Sequence, residues 1–89
     1  MAIRTLIVDD MLLARNRLKR HLEGEPDIEV VGEASGGREA IDLIRRLKPD
    51  LLFLDVQMPE IGGFDVLDQV GPDAVPGVIF VTAYHQFAL

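Results

Sequence analysis

Eighty-nine residues, 48% of them apolar and 27% charged, suit one small globular domain and argue against a disordered chain. A formal net charge of −6 provides no general attraction to nucleic acid or an anionic membrane, so DNA recognition would need residues outside this chain. The absence of cysteine excludes disulfides, thiolate catalysis and sulfur-ligated metals. No apolar run approaches the length of a membrane span. Acids interrupt the opening MAIRTLIVDD too soon for a secretory signal, so a soluble cytoplasmic protein is expected.

Two periods alternate along the chain. TLIV (5–8) is a short apolar run ended by Asp9 and Asp10, the pattern of a buried strand. In MLLARNRLKRHLEG, Met11, Ala14, Leu18 and Leu22 recur at helical spacing. Arg15, Arg17, Lys19 and Arg20 lie mostly on the other faces and read as a solvated basic stripe. Gly24 and Pro26 stop this helix. IEVVGEA (28–34) is rich in β-branched residues yet carries Glu29 and Glu33, as a partly exposed edge strand does. A second helix starts at Ser35 or Gly36, gathers Ala40, Ile41, Ile44 and Leu47 on one face, and ends at Pro49.

LLFL (51–54) is the most apolar run and reads as the central strand. MPEIGG then follows, and its plainest account is a tight loop in which Gly62 or Gly63 takes a positive φ. Residues 63–70 form a short helix using Phe64, Leu67 and Val70. After the breakers Gly71, Pro72, Pro76 and Gly77 comes VIFVT (78–82), another buried strand, and the tail AYHQFAL opens a helical pattern. The order βαβαβαβ with short connections calls for one domain over 1–89. It is an α/β fold whose parallel sheet is covered on both faces through right-handed crossovers.

In such a sheet, ligands sit beyond the carboxyl ends of the strands. Asp9 and Asp10 end the first strand and Asp55 the third, so neighbouring strands would bring three carboxylates into one crevice. Their mutual repulsion calls for a cation, and hard oxygen ligands without His or Cys favour Mg²⁺. A turn carbonyl, that of Gln57, could add a further oxygen. Asp55, single, central and followed by a rigid turn, suits a nucleophile that becomes an acyl phosphate, while Asp9 and Asp10 suit metal holding. Each feature alone has a plainer account: Asp-Asp as a helix N-cap, Asp55 as a turn former, Thr82 as a β-branched strand residue. His21 and His85 read as surface residues.

Together, Asp9–Asp10 after the first strand, the block FLDVQMPEIGGFDVL around Asp55 and the strand-end Thr82-Ala83 resemble the receiver domain of two-component response regulators, over essentially the whole chain. The resemblance implies a doubly wound, flavodoxin-like sheet of order 2-1-3-4-5. It implies that Asp55 takes a phosphoryl group from the phosphohistidine of a sensor histidine kinase. On the same basis Asp10, Asp55 and the Gln57 carbonyl bind Mg²⁺, Asp9 helps through water, and Thr82 turns its hydroxyl onto the phosphate as the switch. Such a chain is a signalling module that undergoes phosphorylation and dephosphorylation, not an enzyme with turnover. The tail VTAYHQFAL is similar to receivers of LytTR (LytR/AlgR-type) transcription factors, in which a C-terminal DNA-binding domain follows.

The family pattern continues with a fifth strand, its phosphate-pairing lysine and a last helix, and these 89 residues stop before them. Lys48 lies just before the third strand, at the wrong end to replace that lysine. The expectation is a receiver truncated before strand five, with weakened Mg²⁺ binding, impaired phosphorylation, and VIFVT as an open edge for homodimerisation or domain swapping. Two other classes compete. A haloacid-dehalogenase-type phosphatase needs a second Asp two residues after the nucleophile, where this chain has Gln57. A degenerate receiver acting only as an interaction module would not need Asp9, Asp10, Asp55 and Thr82 together.

Overall fold

The computed structural model describes residues 2–81. Seven elements follow one another: β1 (Ile3–Val8), α1 (Leu12–Leu22), β2 (Ile28–Ala34), α2 (Gly37–Leu47), β3 (Leu51–Asp55), α3 (Gly63–Val70) and β4 (Gly77–Val81). All strand pairs are parallel, in the order β2-β1-β3-β4, the flavodoxin-like arrangement. The chain leaves β1 toward β2 on one side and reaches β3 on the other, so the strand order reverses between β1 and β3.

Period-2 alternation decides which side chains form the core. Leu6 and Val8 on β1, Leu52 and Leu54 on β3, and Ala34 on β2 point to one face and meet Ala40, Ile41 and Ile44 of α2 and Val66 of α3. Leu6, Leu52 and Leu54 are fully enclosed. The alternate positions Thr5, Ile7 and Phe53 are also buried, which is why these strands read as continuous apolar runs. Glu33, next to the core-facing Ala34, points to the opposite face and is held there by Arg15 and Lys19 of α1. The sheet therefore carries α2 and α3 on one face and α1 on the other.

Several expectations need correction. β1 begins at Ile3 because its backbone is already paired there: the Ile3 N–H donates to Asp27 and the Arg4 N–H to the Asp50 carboxylate. In α3 the enclosed residue is Val66, while Phe64 is exposed and packs against Phe80 of β4, the ring centroids 5.0 Å apart and the planes tilted by 45°. The inward stripe is Gly63, Val66, Leu67 and Val70, about a hundred degrees around the helix from Phe64. β4 is half-buried, with Ile79 and Phe80 among the exposed apolar side chains. The basic stripe of α1 is split: Arg17 and Arg20 are solvated, but Arg15 and Lys19 close an ion pair with Glu33. On α1, Ala14, Leu18 and Leu22 are half-buried as their spacing predicts, while Met11 is exposed.

At the amino end of the sheet, Arg4 Nη1 donates to the carbonyls of Leu47 and Lys48, at 2.6 and 3.1 Å. These are last-turn carbonyls of α2 that lack partners within the helix, and a cation complements their partial charge. Lys48 itself takes a left-handed conformation (φ 48°) as the helix C-cap.

Candidate functional site: an acidic cluster at the carboxyl ends of β1 and β3

β1 and β3 pair in parallel, with Val8 opposite Leu54. The residues that follow, Asp9–Asp10 and Asp55, are therefore delivered to the same rim. Each of the three offers a carboxylate oxygen, and these oxygens lie within 4.8 Å of one another. Asp55 is buried, Asp9 half-buried and Asp10 exposed. The crevice opens beside a cleft of about 460 Å³ bounded by Asp10, the start of α2 (Ser35 to Glu39) and the loop Pro59–Ile61.

Local hydrogen bonds fix the two anchoring acids. Asp9 Oδ1 accepts the Met11 N–H at 2.9 Å, an Asx turn that leads into α1. The Asp9 N–H donates to the Ala34 carbonyl of β2 at 3.1 Å, and its own carbonyl accepts Arg15 Nη1 at 2.7 Å. Asp55 Oδ1 accepts the Gln57 N–H at 3.1 Å, which ties the turn after β3 to the carboxylate. The side chain of Gln57 is exposed.

Burial sets the acidity. Loss of water around Asp55 pushes its pKa up from 3.8 to about 6; the Gln57 amide opposes the rise, and the negative charges of Asp9 and Asp10 add to it. Asp9 is also raised, first by burial and then by Asp10, against the Met11 amide and the Arg15 charge. Both acids are thus held where ionisation is costly in the absence of a cation.

The turn that follows is shaped by contacts invisible in its spelling. Neither Gly62 (φ −79°) nor Gly63 takes a positive φ; the left-handed residue is Glu60, with φ 67°. Gly63 is needed for close approach instead. A β-carbon there would stand 2.5 Å from the Asp55 carbonyl oxygen and 3.2 Å from Leu54 Cγ. Gly37, at the start of α2, is likewise pressed on Ile61, at 2.6 Å from a β-carbon position. Two helix starts without side chains are thereby brought against the end of β3 and the loop that follows it.

Asp9, Asp10 and Asp55 are brought together as the spacing predicts. Thr82 and the tail AYHQFAL lie outside the described residues. Lys48 stands at the amino end of β3, away from the cluster. Arg15, Glu33 and Gly63 are contributors that the linear reading missed. The signal for the first pair was present: Arg15 and Lys19 are one turn apart, and Glu33 alternates with an inward Ala34.

The donor set fits a hard divalent cation. Magnesium–oxygen bonds of about 2.1 Å put neighbouring ligand oxygens about 3–4 Å apart, so three carboxylates within 4.8 Å need only a small closure. Among the described residues no Cys or His adjoins them.

A parallel 2-1-3-4 sheet with an acidic cluster at the strand ends, where the order reverses, defines a doubly wound α/β domain rather than a barrel or bundle. The family of response regulator receiver domains matches residues 5–88, and the chain belongs to it. Over 87 residues it is 45% identical to the transcriptional regulatory protein BtsR of Salmonella typhi, covering 98% of this chain and 36% of that protein. An uncharacterized response regulatory protein of Shewanella oneidensis is 46% identical over 87 residues, with 98% and 37% covered. The chain thus spans little more than a third of the curated relatives it matches. Among solved structures, the response regulator domain of Thermotoga maritima CheB superposes with a TM-score of 0.84 at 38% identity, over 93% of this chain and 62% of that one. The receiver domain of the putative response regulator NarL from Mycobacterium tuberculosis gives 0.83 at 34% identity, over 92% and 67%. Receiver domains are signalling domains of two-component systems. No helix among the described residues is long and apolar enough to cross a membrane.

Proposed function

We propose that this chain is the phosphoacceptor part of a cytoplasmic response regulator in which Asp55 receives a phosphoryl group from a sensor histidine kinase. The observation that carries the reading is the meeting of Asp9, Asp10 and Asp55 within 4.8 Å, with Asp55 the buried member. A carboxylate oxygen of Asp55 attacks phosphorus in line, the bond from phosphorus to the donor imidazole nitrogen breaks, and the imidazole keeps that electron pair and takes a proton from solvent. Mg²⁺ held by Asp10, Asp55 and the Gln57 carbonyl, with Asp9 acting through water, would offset the charge gathered on the phosphoryl oxygens. Asp55, held by the Gln57 amide, presents the nucleophile. Thr82 is assigned the switch hydroxyl.

The output assigned to the parent protein is transcription control of the LytTR type, through a DNA-binding domain outside these residues. Relatives named as transcriptional regulators support the first part, and the tail VTAYHQFAL supports the second. Homodimerisation through β4 completes the reading, supported by its exposed apolar Ile79 and Phe80. Light scattering of the phosphorylated protein that stays monomeric at high concentration would remove that part.

The central test is phosphotransfer to the intact protein from a phosphorylated kinase or acetyl phosphate, with and without Mg²⁺. One phosphoryl group should appear, acid-stable and base-labile as an acyl phosphate is, and Asp55→Asn should abolish it. Labelling that persists in that variant, or that ignores chelation of the metal, would refute the assignment.

A further inference from the structure

Asp10 is the exposed member of the cluster, yet it has to be aimed at the same point as a buried Asp55. What aims it lies on the other side of the peptide bond. The Asp9 carbonyl belongs to the peptide linking Asp9 to Asp10, so fixing that oxygen fixes the plane from which Asp10 departs. Among the described residues, one side chain bonds to it: Arg15 Nη1, at 2.7 Å. The same guanidinium donates through Nε to Glu33 Oε1 at 3.0 Å, and Lys19 Nζ holds the other oxygen, Glu33 Oε2, at 2.6 Å. The Arg15 side chain is only 13% exposed, so water competes little for these bonds. The residue after Glu33 is Ala34, whose carbonyl accepts the Asp9 N–H. Strand β2 thus grips Asp9 at both ends, at one by its own backbone and at the other through the Glu33–Arg15 pair.

We propose that Arg15, oriented by Glu33, is a positioning residue that aims the Asp9–Asp10 pair at the divalent cation. The inference deepens the metal-dependent reading above and rests on it. Arg15 touches neither the cation nor the phosphoryl group. Its planar fork holds two acceptors in a fixed relation, which the single ammonium point of a lysine does not reproduce.

Charge and geometry predict opposite results, and that makes the role testable. If Arg15 were merely a cation near acids, deleting it would strengthen attraction for Mg²⁺, and lysine would restore the original affinity. If it positions the pair, alanine and lysine both weaken binding, by about tenfold as for other residues that orient metal ligands. The experiment is a Mg²⁺ titration of the intact protein by calorimetry, with backbone amide shifts recorded in parallel. Arg15→Lys, Arg15→Ala and Glu33→Ala should each raise the dissociation constant, whereas Arg17→Ala, on the solvated side of α1, should not. In metal-free protein, Arg15→Lys should already move the Asp10 amide resonance and leave that of Asp55 in place. Should Arg15→Ala fail to fold, Arg15→Lys and Glu33→Ala still decide. An Arg15→Lys variant with unchanged affinity and an unmoved Asp10 amide overturns the inference while leaving the metal reading intact. An unsubstituted protein that binds no Mg²⁺, or an Asp10→Asn variant that binds it equally well, overturns both.

Discussion

A single methyl group at Gly63 should disable phosphorylation more than it disables folding. In Gly63→Ala the new β-carbon would start 2.5 Å from the Asp55 carbonyl oxygen, 3.2 Å from Leu54 Cγ and 3.2 Å from Val56 Cα. A carbon and a carbonyl oxygen settle no closer than about 3.3 Å, so about 0.8 Å of movement has to be found. Two of the three obstacles are backbone, and Leu54 is fully enclosed, so rotamer changes cannot absorb it. The strain of such overpacking is about 1–3 kcal/mol, visible as a lower midpoint in thermal or urea unfolding. The movement falls on the residue assigned as nucleophile, and a displacement near 1 Å costs about a hundredfold in a reaction that depends on alignment. The phosphorylation rate from acetyl phosphate should therefore fall about a hundredfold in protein that remains folded. Gly24→Ala is the control, since nothing lies within 4 Å of its β-carbon position. If Gly63→Ala matched that control in both stability and rate, close packing of α3 on the Asp55 backbone would not be what this glycine serves.

Other consequences follow from burial and charge. Because the folded pKa of Asp55, about 6, stands above the ordinary 3.8, the folded state holds the proton more tightly. That contribution, about 2–3 kcal/mol, is present below pH 4 and is lost as pH rises through 6. Metal-free protein should lose this stability across that window and Asp55→Asn should not; equal profiles in urea unfolding would refute the burial account. Saturating Mg²⁺ should flatten the loss, and chelation should restore it, as read from unfolding midpoints at pH 8. Glu33 runs the opposite way: its pKa is lowered, chiefly by the Lys19 hydrogen bond, so its contribution is present above pH 4.5 and fades as pH falls. Leu54→Ala should cost about 3 kcal/mol by equilibrium unfolding, since this fully enclosed side chain leaves a cavity that β3 cannot collapse.

The elements easiest to read were those bounded by breakers on both sides. Residues 28–34, between Pro26 and the Ser35-Gly36 pair, form β2 over that whole range, and 63–70 form α3. Local grammar was sufficient there because apolar spacing and chain punctuation agreed. The convergence of Asp9, Asp10 and Asp55 was legible for a related reason: alternation and parallel topology leave strand ends few places to go. What stayed hidden depends on partners far along the chain. Phe64 suits an apolar helix face as well as Val66 does, and only the position of the sheet decides between them. A Gly-Gly pair suggests left-handed backbone, yet Glu60 takes that conformation while Gly63 makes room for the Asp55 carbonyl. Arg15 and Lys19 read as solvent-facing until β2 supplies Glu33 as their shared partner.

The two ends of this sheet are built on opposite electrostatic terms, and the contrast connects fold to function. At the amino end, Arg4 meets helix carbonyls and its backbone meets the Asp50 carboxylate, so each charge has a stabilising partner. At the carboxyl end, three acids crowd together and two of them have raised pKa values. A protein optimised for stability alone would neutralise one of the three acids. Retaining them leaves a site whose lowest-energy states all require something from outside, either a proton or a cation. The cost is carried by elements outside the three acids: the enclosed leucines of β1 and β3, the glycine-tight starts of α2 and α3, and the guanidinium that holds the Asp9 carbonyl. A site so arranged can change its charge without changing its scaffold, and coupling such a change to an output is what the proposed phosphorylation switch requires.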